Sequence, residues 1–188
     1  LNVGGGASRD LPKIYAGWDQ DLLDADASVN PDICCDAKAM HKLPRSKYDA
    51  VFCSHTLEHF YRHDVPAVLA GFQHVLKADG FCHVAVPDME SLFKAIASGD
   101  FDIDDTYYVA GSNPIKFHDV IYGWSKMMET GNLYYAHKCG FTEKSMAKIL
   151  RAAKFATVKT AVDGFGNLFA FGFKSKPGPD KLRRLGCQ

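Results

Sequence analysis

Three consecutive glycines, Gly4-Gly5-Gly6, stand directly behind the apolar segment 1–3, and this pairing restricts the fold more than any other feature. A strand that runs into glycine can turn sharply, and its backbone stays open to a ligand because no Cβ stands in the way. About twenty residues later, Leu22-Leu23-Asp24 puts a carboxylate at the end of a second apolar run, the spacing of a strand–crossover–strand unit. Further apolar runs at 33–35, 50–53 and 81–86 alternate with helix-like stretches, which is the signature of a parallel sheet covered by helices. Val65, Val68, Leu69, Phe72, Val75 and Leu76 form an i, i+3, i+4 stripe. Ala78-Asp79-Gly80 then predicts a left-handed glycine turn before the next strand.

Beyond Pro87 the pattern changes. Residues 89–97 read as a helix stopped by Gly99, and 115–128 as another. The stretch 100–140 otherwise lacks regular alternation and holds Tyr107, Tyr108, Tyr122, Tyr134, Tyr135 and Trp124. Thr142 caps a helix carrying Met146, Ile149 and Leu150. Runs 157–162 and 168–173 flank the turn 163–166 and are expected to pair antiparallel. We read 1–174 as a single domain, with 100–140 as an acceptor lid inside it, and 175–188 as a basic tail, surface-bound or loose.

Composition narrows the partners. A chain of 188 residues suits one domain, and Lys plus Arg equals Asp plus Glu at 22 each, so it lacks the basic excess of domains that grip a phosphate backbone. No apolar run approaches the ~20 residues of a membrane span, and no leader segment is visible. None of Cys34, Cys35, Cys53, Cys82, Cys139 and Cys187 forms a Cys-x-x-Cys pair, and four sit in apolar runs. Core thiols in a reducing cytoplasm are the expectation.

A carboxylate at Asp24 can accept both hydroxyls of a ribose. A dinucleotide site would need a third glycine where this chain has Arg9, which favours an adenosyl ligand. The segments that follow carry a resemblance. Residues 48–60, with Ser54-His55-Thr56-Leu57-Glu58-His59, resemble the fourth strand and Leu-Glu-His turn of class I S-adenosylmethionine-dependent methyltransferases. Residues 74–87 resemble their helix end and fifth strand, and Asp32-Ile33-Cys34-Cys35-Asp36-Ala37 their third strand. The ordered matches span 1–87, and Tyr122-Gly123 with 136–142 is similar to a small bacterial, type-11-like branch.

The resemblance implies a three-layer Rossmann-like α/β fold, with strand order 3-2-1-4-5-7-6 and the last strand antiparallel. It implies S-adenosylmethionine as cofactor, with Gly4 and Gly6 against its methionine part and ribose. Asp24 would take the ribose hydroxyls, with Asp26 as substitute, while Asp36 and the Ala37 amide would take the adenine. Ser54 and His55 would border the methyl end. Two departures stand out: Asn2 replaces the usual acidic residue beside the glycines, and Pro12 and Gly17 shorten the first helix.

Methyl transfer needs positioning and exclusion of water more than a fixed catalytic group, so His55, His118 and His137 are the candidates to face the methyl. The aromatics of the lid suit an acceptor pocket, burial of the 115–128 helix, or a homodimer contact. The expected activity is methyl transfer to a small-molecule acceptor, with no resident metal. The alternatives are a non-catalytic adenosyl-binding module and a zinc hydrolase using His55-x-x-Glu58-His59, in which both histidines share a helix face and Glu58 is the base. In that reading no third ligand is evident, Glu129 and Glu143 being the remaining options.

Overall fold

A computed structural model describes residues 1–187. Its main sheet has seven strands, β1 (Asn2–Val3), β2 (Leu22–Asp24), β3 (Ile33–Cys34), β4 (Tyr48–Ser54), β5 (Leu76–Pro87), β8 (Thr157–Val162) and β9 (Asn167–Phe173). Their spatial order is β3-β2-β1-β4-β5-β9-β8. β9 runs antiparallel to both of its neighbours, and the remaining pairs are parallel. With β8 and β9 as sixth and seventh strands of the sheet, this is the expected order.

Period-two alternation sorts the side chains onto two faces. Val51, Cys53, Cys82, Val84, Val86, Leu168 and Ala170 join one core. The helices α1 (Val65–Val75) and α5 (Glu143–Ala152) cover it, together with the 3-10 segment Ala37–Lys42. α5 begins at the predicted cap, where the Thr142 hydroxyl accepts from the Ser145 N–H. The opposite face carries Ala50, Phe81, Phe171 and Phe173 and has no long helix over it. Between β1 and β2 lies only the 3-10 turn Lys13–Tyr15, so the expected shortening of the first helix is complete. Leu11, Tyr15 and Trp18 cover that face from one side, and the helix α6 (Pro179–Arg184) with Leu185 and Cys187 covers it from the other. The tail is therefore docked through residues 182–187. Leu185→Ala is expected to cost about 2 kcal/mol in a urea titration, near the low end for buried leucine because the site borders solvent; an unchanged midpoint would mean the tail adds nothing to stability.

Three local expectations change. Gly80 is not in the left-handed region: α1 passes directly into β5, and residues 77–80 bulge between the pairs Tyr48–Leu76 and Ala50–Phe81. A Cβ on Gly80 would press within 3.0 Å of the Lys77 carbonyl and 3.1 Å of the Asp49 carbonyl, so close backbone approach selects glycine here. The helix expected over 115–128 is split. Ile115 belongs to the hairpin of β6 (Thr106–Ala110) and β7 (Asn113–Lys116), and Gly123 at φ 105° separates α3 (Phe117–Tyr122) from α4 (Ser125–Met128). Gly123 pairs with Ala136, and a side chain there would overlap the Tyr135 carbonyl. Finally, Cys34 is exposed on the edge strand β3 and Cys35 half-buried, while Cys53 and Cys82 are buried as expected. The helix α2 (Met89–Ala97) forms as predicted and packs Leu92 against Ile115, Phe117 and Val120, giving the 100–140 segment a small core of its own.

Candidate active site

Parallel pairing sets Asn2 beside Leu22 and Phe52, and Leu23 beside Ile33, so the carboxyl ends of β1 to β4 share one edge of the sheet. Open α/β sheets bind ligands there. Gly4 and Gly6 both have positive φ, 70° and 58°. A Cβ on Gly4 would overlap the Thr56 side chain, whose hydroxyl has the carbonyls of Val3, Gly4 and Ser54 within donating distance at 3.0–3.2 Å. At Gly6 the same Cβ would meet open space, so this backbone is bare. Its N–H donates to Asp24 Oδ2 at 3.0 Å, and the Asp26 N–H donates to Asp24 Oδ1 at 3.0 Å. The carboxylate is thereby held beside the glycine turn.

Asp26 caps the 3-10 turn Ala27–Val29 by accepting from the Ser28 N–H, which holds its carboxyl below the usual range. Asp36 caps Ala37–Lys42 by accepting from the Lys38 N–H at 2.9 Å, and Ala37 behind it is buried. Asn2 is buried and donates to Gln20 Oε1 at 2.9 Å, so its amide is committed to the 4–21 connection. A cleft of about 400 Å³ has Asp26 among its lining residues, and Gly131, Asn132, Leu133, Tyr134 and Lys138 of the 100–140 segment as the others.

Past the end of β4 the chain makes a tight reversal. His55 takes φ 48°, its N–H bonded to the Ala85 carbonyl, and the 3-10 turn Leu57–His59 follows. The His55-x-x-Glu58-His59 motif is thus not on a helix, and the two histidines do not share the helix face that a zinc-hydrolase site needs. His55 is half exposed, with Nδ1 3.4 Å from Glu58 Oε1. Partial desolvation lowers its affinity for a proton, but the attraction of the nearby Glu58 carboxylate, with Asp163 adding, shifts its pKa upward overall. Glu58 itself is buried, and neither carboxylate oxygen has a hydrogen-bond partner. The Lys138 and Cys139 N–H groups donate to the Glu58 main-chain carbonyl, which ties this turn to the end of the lid segment.

That tie brings His137 to the cluster. One ligand atom from each of Glu58, His59 and His137 lies within 4.8 Å of the others. Desolvation lowers the His137 pKa from its ordinary value. His118, by contrast, packs its ring on Tyr122 inside the lid segment, with Nδ1 3.4 Å from Ser125 Oγ. The structure therefore gathers His55 and His137 around Glu58 and holds His118 in other contacts. Sequence spacing signals neither the His137–Glu58 meeting nor the Asn2–Gln20 pair.

Residues 18–84 match the model of the family described as "Methyltransferase domain". A S-adenosylmethionine-dependent methyltransferase from Archaeoglobus fulgidus has the same fold over 92% of this chain and 84% of its own, at 14% identity and a TM-score of 0.60. A possible histamine N-methyltransferase from Thermotoga maritima matches over 93% and 81%, at 14% identity and a TM-score of 0.57. The 1,6-didemethyltoxoflavin-N1-methyltransferase of Burkholderia thailandensis, solved with S-adenosylhomocysteine, matches over 93% and 70%, at 15% identity and a TM-score of 0.55. No curated protein matches the sequence. The family match spans residues 18–84 and the solved structures are alike over nearly the whole chain, so the chain has the fold of the S-adenosylmethionine-dependent methyltransferases it resembles.

Proposed function

We propose that the chain transfers a methyl group from S-adenosylmethionine to a small-molecule acceptor in the cytoplasm. The observation that carries this reading is the shared sheet edge at which the Gly6 N–H donates to the Asp24 carboxylate, with Asp36 capping the turn that follows β3. The residues fit the cofactor chemically. Gly4 and Gly6 would lie against its methionine part and ribose. Each Asp24 oxygen accepts one backbone N–H and keeps a lone pair for a ribose hydroxyl. Asp36 and the Ala37 amide would hold the adenine, and Ser54 and His55 would border the methyl end. The bound cofactor supplies a methyl group already attached to a good leaving group. The chain's own contribution is to orient the acceptor and exclude water. Leu133 and Tyr134, which line the cleft from the lid segment, suit that task, and His55 offers the acceptor a hydrogen-bonding group. The balanced charge favours a small acceptor over a nucleic acid, and no described helix is long and apolar enough to cross a membrane.

Asn2 favours one second reading, a non-catalytic adenosyl-binding module, because no carboxylate occupies its place and its amide is bonded to Gln20. Calorimetry with S-adenosylmethionine and S-adenosylhomocysteine tests the main proposal first: one site for each is expected, and failure of both to bind overturns it. A screen of radiolabelled methyl transfer to small hydroxyl, amine and thiol acceptors then separates enzyme from module, since binding without any transfer would support the module.

A further inference from the structure

We propose that Glu58, His59 and His137 form a binding site for a divalent first-row transition ion, with zinc as the reference metal. Glu58 is only 1% exposed, and both of its oxygens lack hydrogen-bond partners. A buried carboxylate without a compensating partner is costly, and a cation is one way to relieve it. Its ion-pair contact among the described residues is the half-exposed His55, at 3.4 Å.

The two histidines are arranged as ligands usually are. His59 Nδ1 lies 3.1 Å from the Ala136 carbonyl and His137 Nδ1 lies 2.9 Å from the Val120 carbonyl. A carbonyl only accepts, so each Nδ1 carries the proton and donates it, which leaves each Nε2 lone pair free in the neutral ring. Metal-bound histidines characteristically anchor the opposite ring nitrogen to a carbonyl in this way. The rings stand 4.8 Å apart and edge to face, and the ligand atoms of all three residues fall within 4.8 Å of one another. Ligand atoms at a tetrahedral zinc are roughly 3.4 Å apart, given bonds of about 2.0–2.1 Å, so binding draws the three groups slightly inward.

Two imidazoles and one carboxylate leave a coordination position open, and His55, with Nδ1 3.4 Å from Glu58 Oε1, stands where the outer partner of a ligating carboxylate commonly stands. Glu58 is here a ligand, so this is not the hydrolase arrangement in which it would act as base. The ion would link the turn after β4 to the end of the lid segment, since His137 comes from residues beyond α4.

The test uses the full chain dialysed against a chelator, then titrated with Zn²⁺ by calorimetry and with Co²⁺ by visible absorption. One saturable equivalent is expected, with Co²⁺ giving d–d bands of nitrogen and oxygen ligation and Zn²⁺ raising the melting temperature. His137→Ala and Glu58→Gln should each weaken that equivalent by more than the roughly 10–100-fold lost with an outer-shell partner, whereas Cys34→Ser/Cys35→Ser should retain it. Glu58→Gln also keeps the test valid if His137→Ala misfolds: without metal it should melt at or above wild type, and with Zn²⁺ only the wild type should gain. Absence of a saturable equivalent, or an equivalent that survives in Glu58→Gln, overturns the proposal. Neither result bears on S-adenosylhomocysteine binding, so the two readings fail separately.

Discussion

Replacing Asp24 with alanine is expected to weaken S-adenosylhomocysteine binding by at least about 30-fold, near 2 kcal/mol. The ligand would lose a charged acceptor for its ribose hydroxyls, and hydrogen bonds to charged groups are each worth ~1.5–3 kcal/mol. A second effect acts in the same direction. Asp24 accepts from the Gly6 and Asp26 N–H groups at 3.0 Å each, so its removal also releases the glycine turn that the ligand would lie against. Asp24→Asn separates the contributions, because an amide oxygen can keep one of those backbone bonds but carries no charge. Affinity in the order wild type, Asn, Ala is the expected outcome of calorimetry, with the variants' melting temperatures measured alongside. An alanine variant that binds as tightly as wild type would remove Asp24 from the ribose.

The second large effect concerns acid stability. His83 is buried on the aromatic face, with its ring stacked on Phe171 at 4.1 Å and Nδ1 3.1 Å from the Tyr15 hydroxyl. Burial pushes the tyrosine pKa up, so its hydroxyl stays protonated and can donate to the ring nitrogen. Burial also pushes the His83 pKa from the ordinary 6.5 down to about 4. Between those values the unfolded chain holds a proton on His83 that the folded chain does not. Stability therefore falls as pH drops from 6.5 to 4, by about 1.4 kcal/mol per unit at most and ~3 kcal/mol in all. Above pH 6.5 this histidine has no effect on the pH dependence. Urea titrations at pH 7.5, 6 and 5 check it. The wild type should lose stability across this series, and His83→Gln should lose less; equal losses in both proteins would show that His83 is not the residue responsible.

The legibility of the chain follows from the range of the interactions involved. The strands and the cap at Thr142 were readable because apolar runs and a hydroxyl three positions before Ser145 act within a few residues, whereas the strand order came from the resemblance. The places of Gly4, Gly6 and Asp24 next to strand ends were readable for a related reason, and the parallel register brings those ends together, while Asp36 was singled out by the resemblance. The errors came where tertiary contact decided the backbone. Gly80 looked like a helix stop but answers to the Asp49 carbonyl on the neighbouring strand, and Gly123 breaks the helix expected over 115–128 because it pairs with Ala136. The His55-x-x-Glu58-His59 spacing suggested a helical face, yet the chain leaves β4 through a left-handed residue. The partner Glu58 actually meets, His137, comes from a distant segment that no local pattern connects to it.

The bare aromatic face of the sheet has a consequence for the order in which the molecule is completed. Its cover comes from Leu11, Tyr15 and Trp18 near one end of the sequence and from Leu182, Leu185 and Cys187 near the other. β9, which lays Phe171 and Phe173 into that bed, also arrives late and inserts between two earlier strands. A nascent chain on the ribosome would thus hold a sheet with one side still wet until residues 182–187 emerge. Such long-range closure is slow, and it leaves sticky surface open to neighbours in the meantime. Chains that stop before Leu182 should give poor soluble yield before they show any defect in ligand binding.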